Sequence, residues 1–292
     1  MSDDPFVTHR NLLFTVAYEM LGSAADAEDV VQETWLRWAD VDQDEVQDPR
    51  AYLVRIVTRQ ALNRLRTLSR RREEYVGEWL PEPLLTGPDV AEDVELAESV
   101  SMAMLTVLET LGPTERAVFV LREVFDLPYD EIARAVDKTP AAVRQTARRA
   151  REHVRARQPR TRVARAEQVA VVERFLAALT TGDIQGLLDV LAPDVVLVAD
   201  GGGVVSARSK PLAGADRVAR LLSRLAALVP DAQIGTLWLN GAPAALIDPG
   251  DEWGATAVSV VVEDGRISRI FAVRNPGKLT RLQEAVRLSR TG

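Results

Sequence analysis

A strongly basic stretch in the middle of the chain contains residue types that can bind nucleic acid. Lys138 to Arg165 holds ten Lys and Arg residues against one acidic residue, Glu152. Five long polar side chains of this stretch fall on the side of a predicted helix opposite its apolar positions: Arg144, Gln145, Arg148, Arg149 and Arg151. Arginine can bond guanine through two hydrogen bonds, and glutamine can do the same at adenine. The stretch therefore predicts contact with DNA bases and phosphates in the major groove.

The residues around this stretch indicate how it would be positioned. A short apolar face at Ile132, Ala133 and Val136 is followed by a tight connection at Asp137-Lys138. Thr139-Pro140 then caps a longer helix, which packs through Val143, Ala147, Ala150 and Val154. A short helix, a turn and a longer basic helix form a helix-turn-helix pattern. The alternative is a basic helix that only faces water.

A second basic segment, from Arg55 to Arg72, contains seven arginines and no acidic residue. Asp48-Pro49 predicts the start of its helix, and an apolar stripe recurs at Leu53, Val57, Ala61, Leu65 and Leu68. The opposite side carries the polar residues Arg55, Arg59, Asn63 and Arg66, with the aromatic Tyr52 nearby. One face of this helix is expected to pack, and the other to bind phosphates.

The remaining N-terminal sequence predicts further helices around these two. Asn11–Leu21 has an apolar face, and the Ser23 to Asp26 segment offers an N-terminal cap for a helix through Trp38. Glu98–Leu111 is predicted to be one helix, and another begins at Pro113. Between the two helical parts, residues 73–98 carry nine acidic residues and no basic one, which predicts an acidic linker.

The composition of the whole chain bounds its class. With 292 residues, there is room for two or three domains. The net charge of -7 does not exclude nucleic acid, because the basic residues are concentrated locally. The chain has no cysteine, no apolar run of about 18 residues and no basic-then-apolar start. We expect a cytoplasmic location, no membrane contact, no disulfide or thiolate metal site, and no cofactor.

From Glu167 onward, the pattern changes to that of an α+β domain. Helices are predicted around Phe175, over Ile184–Leu191 and over Asp216–Leu228. A strand at Val195–Ala199 comes between the second and third helices, and two hairpin turns follow, at Asn240-Gly241 and Asp264-Gly265. The prediction is a curved antiparallel sheet covered by helices.

The order of these parts resembles the extracytoplasmic-function sigma factors, over about residues 8–158. The resemblance rests on DAEDVVQETWLRW, DPRAYLVRIVTRQALNRLR, the acidic linker and the helix-turn-helix. It implies an alternative RNA polymerase sigma factor with an all-α region 2 domain at residues 1–72, a linker at 73–98 and an all-α region 4 domain at 99–158. Its implied partners are the RNA polymerase core, through the β′ clamp and the β flap, and promoter DNA.

The resemblance also implies roles for particular residues. Asp26–Trp38 would dock on the polymerase clamp, which makes Asp29, Gln32, Glu33 and Trp35 candidates for core binding; simple core packing is the alternative for Trp35. The helix from Asp48 to Arg66 would bind and open the −10 element, with Asn63 or Tyr52 on an unstacked base. The helix-turn-helix would read the −35 element. The linker would enter the product channel and imitate RNA charge, or it would be a disordered, solubilising segment.

Three short stretches are similar to the subfamily that carries a C-terminal SnoaL-like domain, here residues 166–292. They are Trp79-Leu80-Pro81-Glu82-Pro83, Asp200-Gly201-Gly202-Gly203 and Asn275-Pro276-Gly277-Lys278-Leu279. The third departs from the subfamily, which commonly has aspartate where Gly277 stands. The resemblance implies a cone-shaped domain that regulates the sigma factor in place of a dedicated anti-sigma factor. The three stretches would then contact the linker or the helical domains.

A catalytic role for the C-terminal domain is the competing interpretation. Both histidines and all four tyrosines precede this domain, so acid-base chemistry would depend on carboxylates such as Asp200 or Asp248. Asp200 before three glycines is more simply a turn. We therefore expect no enzyme activity. A DNA-binding regulator fused to a small-molecule-binding or catalytic module remains the alternative.

Overall fold

The protein consists of an all-α N-terminal part and a C-terminal α+β domain, as the sequence predicts. The computed structural model describes residues 4–73, 75–90, 93–158, 163–205, 207–250, 254–282 and 285–290, with the side chains of 69–73 left out. Within these ranges, the helices are all too short or too polar to cross a membrane.

The first helical region contains α1 (Pro5–Leu21), α2 (Ala24–Ala39) and α3 (Pro49–Glu73), with a 3-10 turn before α3. Gly22 ends α1 in the left-handed conformation, at φ 66°. The Ser23 hydroxyl then accepts a hydrogen bond from the Asp26 amide at 3.2 Å and caps α2, as the sequence predicts. The predicted apolar stripe of α3 is buried at Leu53, Val57, Ala61 and Leu65.

The second helical region contains α4 (Val94–Val100), α5 (Met102–Leu108), α6 (Pro113–Phe119), α7 (Tyr129–Val136) and α8 (Pro140–Arg155), with a π-type turn after α6. The prediction of one helix over Glu98–Leu111 is wrong. The helix is interrupted at Ser101, which has an extended ψ of 148°. Its hydroxyl accepts a hydrogen bond from the Met104 amide and caps α5.

The helix-turn-helix is formed by α7 and α8, which confirms this prediction. Asp137 ends α7 with a left-handed φ of 56°, and Thr139 caps α8 by accepting a hydrogen bond from the Ala142 amide. The four apolar residues predicted to pack α8 are buried: Val143, Ala147, Ala150 and Val154. Both helical regions contribute to one continuous apolar core.

The C-terminal domain contains one six-stranded sheet and the helices around it. Its elements are α9 (Arg165–Thr181), α10 (Ile184–Val190), β1 (Leu191–Asp200), β2 (Leu212–Ala213), α11 (Ala215–Leu228), β3 (Gln233–Leu239), β4 (Ala242–Asp248), β5 (Thr256–Glu263), β6 (Arg266–Val273) and α12 (Pro276–Leu279). The strand order is β2-β1-β6-β5-β4-β3.

The predicted α+β domain is confirmed, but its sheet is mixed rather than antiparallel, because β1 runs parallel to β6. The two predicted hairpins, β3-β4 and β5-β6, are present and antiparallel. A hairpin turn specifies the relative direction of two consecutive strands. β1 and β6 are separated in the chain by the other strands and by α11, so no turn joins them. No local signal reports that long-range pairing.

The two faces of this sheet pack against different parts of the chain. The inner face, which includes Leu197, Val258 and Ile270, forms a core with α9, α10 and α11. The outer face, which includes Phe271 and Val273, packs against Leu80, Met102 and Ala103. Because side chains alternate along a strand, β6 contacts the domain's own helices on one side and the linker with α5 on the other.

Candidate functional site: an interdomain clamp and two basic surfaces

A buried carboxylate, Asp200 at the end of β1, joins the linker to the C-terminal domain. One carboxylate oxygen, Oδ2, accepts hydrogen bonds from the Leu80 amide at 2.9 Å and from Lys278 Nζ at 2.7 Å. The other, Oδ1, accepts from the Tyr75 hydroxyl at 2.6 Å and from the Gly202 amide at 3.0 Å. The Asp200 side chain is fully buried. Because a buried carboxylate is costly without partners, the cation and the three further donors stabilise its charge.

Lys278 of α12 completes this group on the linker side. Its ammonium donates to the Leu80 carbonyl at 2.5 Å and lies 3.2 Å from the ring centre of Trp79. Asn275 donates to the Tyr75 hydroxyl at 2.9 Å. Burial raises the pKa of Tyr75, so the phenol stays protonated and donates to the carboxylate. We call Tyr75, Trp79, Leu80, Asp200, Asn275 and Lys278 the Asp200 cluster.

The glycines after Asp200 leave space for this cluster. Gly202 has a φ of 65°, and a Cβ atom there would lie 2.4 Å from the Asn275 amide nitrogen. At Gly203, with φ 71°, a Cβ atom would lie 3.1 Å from Val76. Only glycine combines a left-handed backbone with this close approach at low cost. Gly201 belongs to the same turn.

The other two residues of the third predicted stretch lie in α12. Pro276 is the first residue of this helix, and Leu279 is partly buried against the outer face of the sheet.

Further along the linker, Glu82 binds the start of α2. Its carboxylate accepts hydrogen bonds from the Ala24 amide at 2.8 Å and the Ser23 hydroxyl at 3.2 Å. A helix N-terminus has free amides and a positive dipole, which favour a carboxylate. Burial nevertheless raises the pKa of Glu82, with these hydrogen bonds opposing the shift. The flanking Pro81 and Pro83 are buried too, so this part of the linker is packed in the described arrangement.

Asn240 connects three parts of the protein at the β3-β4 turn. Its side-chain oxygen accepts a hydrogen bond from the Leu84 amide at 3.0 Å. Its side-chain nitrogen donates to the Tyr18 hydroxyl at 2.7 Å and to the Val100 carbonyl at 2.9 Å. From the sequence, this residue is recognisable only as half of a hairpin turn. No signal in the sequence separates it from the second turn, at Asp264-Gly265.

The segment after α12 crosses the linker and reaches the first helix. The Val286 amide donates to the Leu85 carbonyl at 2.8 Å, and the Ser289 amide donates to the Thr15 hydroxyl at 3.0 Å. Arg290 forms ion pairs with Asp93 and Glu95. The linker is therefore held between the C-terminal domain, its tail and α1.

A second buried group, around Glu19 of α1, joins the two helical regions. The Ser99 hydroxyl donates to the Glu19 carboxylate at 2.8 Å, and Arg116 Nε donates to the Glu19 backbone carbonyl at 2.9 Å. Burial raises the pKa of Glu19 to about 8, against the opposing effects of Ser99 and Arg116. Glu19 and Arg116 could not be recognised from the sequence, since each stands in an ordinary helical pattern.

The predicted −10 face of α3 is partly engaged within the protein. Tyr52 is half-buried with its ring 5.9 Å from that of Trp38, and Arg55 lies over it at 4.9 Å. Arg59 Nη2 donates to the Arg134 carbonyl of α7 at 3.0 Å. Asn63 and Arg66 are exposed and hydrogen-bond to each other at 3.3 Å. The structure therefore places these five residues on one helix but directs Arg59 toward the helix-turn-helix.

The predicted −35 face of α8 is open to solvent. Arg144, Gln145, Arg148 and Arg149 are exposed, and the last two pair with Glu152 and Glu115. Arg151 differs from them because it is half-buried and pairs with Glu123 at 3.1 Å. That carboxylate raises the pKa of Arg151. Arg151 is thus held beside the π-type turn that precedes α7.

The candidate polymerase-binding residues lie along α2. Gln32 and Glu33 are exposed, and Asp29 forms an ion pair with Arg64 at 2.9 Å. Trp35 is 45% exposed, so the alternative in which it packs into the core is wrong. Trp38, one turn later, is the buried tryptophan of this helix, and its indole donates to Asp4.

Comparison with known proteins agrees with this architecture. The family model for Sigma-70 region 2 matches residues 6–71, and the model for Sigma-70, region 4 matches residues 101–154. Two such regions on one chain are those of an RNA polymerase sigma factor. Relatives that are 31% and 36% identical over more than nine tenths of the chain show that it belongs to the extracytoplasmic-function (ECF) sigma factors.

Particular relatives carry the match into the C-terminal domain. The chain is 36% identical over 294 residues to the ECF RNA polymerase sigma factor SigJ of Mycobacterium tuberculosis, covering 96% of this chain and 94% of that protein. It is 31% identical to the probable ECF sigma factor SigI of the same species, covering 94% and 93%. The crystal structure of SigJ matches with a TM-score of 0.77 at 35% identity, over 97% of this chain and 99% of that one.

Proposed function

We propose that the C-terminal domain regulates this sigma factor by holding the linker and both helical regions in a closed arrangement. The observation that carries the proposal is the position of Asp200, which binds the linker at Leu80 and Tyr75 and the tail at Lys278. Glu82 and Asn240 extend the contact to α1 and α2. These residues connect the C-terminal domain to the linker, to α1 and α2 and, through the Val100 carbonyl, to the second helical region.

Promoter geometry is the physical reason for calling this arrangement closed. The −10 and −35 elements are named by their positions relative to the transcription start, so they lie about 25 base pairs apart. At about 3.4 Å per base pair, this is roughly 85 Å along a straight duplex. In the closed arrangement, Arg59 of the −10 helix touches Arg134 of the helix-turn-helix. The two basic surfaces cannot contact both elements from this position, so initiation requires the helical regions to separate.

The roles of the two basic surfaces follow from their exposure. Arg144, Gln145, Arg148 and Arg149 read or hold the −35 element, because they face solvent on α8. On α3, the residues Arg55, Asn63 and Arg66 bind the −10 element. Arg59 joins them once α7 has moved away, and Tyr52 does so on leaving its contact with Trp38. Arg151 supports α8 through its pair with Glu123.

Polymerase binding is assigned to the exposed face of α2. Gln32, Glu33 and Trp35 dock on the β′ clamp, with Asp29 ordered by Arg64, and the region 4 domain meets the β flap. An exposed tryptophan with polar neighbours is a common interface anchor. The linker then enters the product channel, which requires Glu82 to leave the start of α2.

A fused regulator removes the need for a dedicated anti-sigma factor, and we assign no catalysis to the C-terminal domain. The second candidate function is a small-molecule-binding module fused to the DNA-binding regions. A cavity of about 360 Å³ inside the C-terminal domain favours small-molecule binding as a component of the regulatory function.

Run-off transcription with purified core polymerase tests the proposed function. The full chain is compared with Asp200→Asn, which weakens the cluster, and with Asp216→Asn, a control at an exposed ion pair on α11. We expect promoter-specific initiation by the full chain and several-fold more by Asp200→Asn. Equal initiation by all three proteins would contradict the regulatory role. No initiation on any promoter of a library would contradict the sigma activity itself.

A further inference from the structure

The corner between α1 and α2 brings two helix ends of opposite polarity together. Gly22 ends α1 in the left-handed conformation, and Ser23 caps α2 directly after it. The C-terminus of a helix has free carbonyls and a negative partial charge, whereas the N-terminus has free amides and a positive one. The corner therefore offers a position for a cation beside a position for an anion.

The anion at this corner is Glu82 of the linker, which binds the Ala24 amide and the Ser23 hydroxyl. The Glu82 amide also donates to the Gly22 carbonyl at 2.8 Å. Glu82 lies two residues after Leu80, whose backbone is bound by the Asp200 cluster. This half of the corner is therefore connected to the C-terminal domain through the linker.

The cation at the corner is Arg116 of α6, which belongs to the second helical region. Its side chain is 1% exposed, and Nε donates to the Glu19 carbonyl in the last turn of α1 at 2.9 Å. Nη1 donates to Glu109 at 2.6 Å. Burial lowers the pKa of Arg116 to about 9, which leaves the guanidinium charged at neutral pH. The guanidinium is thus bound by its own region and by α1 together. We call these bonds of Arg116 to Glu19 and Glu109 the Arg116 contact.

Gly22 allows the two helical regions to approach closely at this point. A Cβ atom there would lie 2.7 Å from Glu109 Oε1 and 3.4 Å from Arg116 Nη2. A side chain at position 22 would therefore displace the carboxylate that orients the guanidinium. Gly182 ends α9 with the same φ of 66°, but a Cβ atom there would meet only ordinary contact distances, starting at 3.6 Å from Ser223 Oγ.

We propose that the Arg116 contact holds region 4 on region 2 independently of the Asp200 cluster, so that the closed arrangement opens in two steps. In the first step, the linker leaves the Asp200 cluster and Glu82 leaves the start of α2. In the second, Arg116 leaves the end of α1. The inference deepens the proposed function, on which it rests in taking the described arrangement as the closed one.

The position of the bonding partners is the reason for two steps. Glu19 lies in α1 and Glu109 lies between α5 and α6, so departure of the linker leaves both bonds of Arg116 in place. A cation at a helix C-terminus is stabilising, most of all in a buried position. The apolar core shared by the two helical regions opposes their separation in addition. Release of the C-terminal domain alone therefore leaves the two basic surfaces together.

Core polymerase is expected to drive the second step. The proposed function assigns α2 and the region 4 domain to separate surfaces of the polymerase, so binding of both regions favours the separated arrangement. A partner that binds one of two arrangements more tightly shifts the population toward it. The Arg116 contact would then keep the free sigma factor closed even when the linker has been released.

Distances between two spin labels test this inference on the full chain. The chain contains no cysteine, so Val7→Cys on α1 and Ala141→Cys on α8 place one label on each helical region, both at exposed positions. Without polymerase, we expect the same short distance in the labelled protein and in its Asp200→Asn variant. Arg116→Met should raise the population at longer distances by about threefold or more. Arg116→Lys, which retains a cation, should raise it less.

A second variant leaves Arg116 itself unchanged. Gly22→Ala should lengthen the distance as Arg116→Met does, because the new Cβ atom displaces Glu109. Gly182→Ala is the matched control, since it imposes the same backbone conformation on alanine at the end of α9 and should leave the distance unchanged. If Arg116→Met does not fold, the two glycine variants decide the question.

Two results would overturn the inference. One is an unchanged short distance in Gly22→Ala and in folded Arg116→Met. The other is a shift in Asp200→Asn as large as that in these variants, because the Asp200 cluster would then control both steps.

Transcription separates this inference from the proposed function. If Asp200→Asn leaves initiation unchanged while Gly22→Ala lengthens the distance, regulation by the C-terminal domain fails and the Arg116 contact stands. If Asp200→Asn raises initiation and by itself separates the labels, the independent Arg116 contact fails and the regulation stands.

Discussion

Asp200 and Lys278 form a buried ion pair with 2.7 Å between Oδ2 and Nζ, and both side chains also bind the backbone of Leu80. Asp200 accepts from the Leu80 amide, and Lys278 donates to the Leu80 carbonyl. The pair therefore encloses one peptide segment of the linker from both sides. Neither charge could stay buried if the linker left, because each would lose part of its hydrogen bonding.

The first prediction concerns this pair. Lys278→Met should lower the free energy of unfolding by about 3–5 kcal/mol, since Asp200 would remain buried without its cation. Hydrogen exchange at the Leu80 amide should accelerate together with this loss. Lys210→Met, at an exposed lysine of the same domain, is the control. Unchanged protection of Leu80 in Lys278→Met would show that the pair does not hold the linker.

The second prediction concerns pH and the buried Glu19. Its pKa is about 8 in the folded protein and about 4.5 when exposed. The folded protein therefore keeps a proton that the unfolded chain releases, and the stability contributed by this proton is lost as pH rises from about 5 to 8. Glu19→Gln should remove the loss, with an upper estimate of roughly 3 kcal/mol at pH 7 from about 1.4 kcal/mol per pKa unit.

Urea denaturation of the full chain at about pH 5 and about pH 8 measures this effect. The stability of Glu19→Gln relative to the original protein should rise between the two pH values. Glu33→Gln, at an exposed position of α2, should show no such trend. A difference between Glu19→Gln and the original protein that stays constant with pH would contradict the prediction.

The third prediction compares two hairpin turns of similar backbone geometry. Asn240 and Asp264 have left-handed φ values of 54° and 50°, so glycine fits both positions. Asn240→Gly should destabilise the protein by about 1–3 kcal/mol for each buried partner left without a hydrogen bond, and should expose the linker near Leu84 to proteolysis. Asp264→Gly should do neither. Equal cleavage of the two variants would contradict a role for Asn240 in holding the linker.

The fourth prediction separates the two tryptophans of α2. Trp35→Ala should reduce affinity for core polymerase by about 2 kcal/mol or more, while leaving the unfolding temperature nearly unchanged. Trp38→Ala should cost about 3–5 kcal/mol of stability, because it opens a cavity in the helical core. Binding assays and thermal unfolding on the same preparations distinguish the two. Normal polymerase affinity for Trp35→Ala would remove Trp35 from the interface.

The fifth prediction concerns base reading by α8. Arg148→Ala should weaken binding to a −35 duplex by about 1–3 kcal/mol, with relaxed preference at one base pair if Arg148 contacts a base. Uniform weakening over all sequences, with a smaller salt dependence, would indicate a phosphate contact instead. Arg220→Ala, on the C-terminal domain, should change neither quantity. Fluorescence anisotropy over a panel of single-base substitutions measures the difference, and an unaltered affinity would exclude Arg148 from the interface.

The sequence by itself determined most local elements of this protein, with the break between α4 and α5 at Ser101 as an exception. Residues a few positions apart interact within one helix or turn, so caps such as Ser23 and Thr139 and the turn at Asp264-Gly265 could be predicted from their neighbours. The family resemblance had the same basis, because it depended on contiguous motifs.

Tertiary structure alone decided which of these elements meet and what their meeting does. The parallel pairing of β1 with β6, the burial of Glu19 beside Ser99 and the contacts of Asn240 with Tyr18 and Leu84 join residues far apart in the chain. The free-energy cost of burying a charged side chain, and the hydrogen bonds that offset it, depend on which distant groups replace water around it. For this reason Asp200, which the local sequence predicts as a turn residue, is the centre of the Asp200 cluster between the linker and the C-terminal domain.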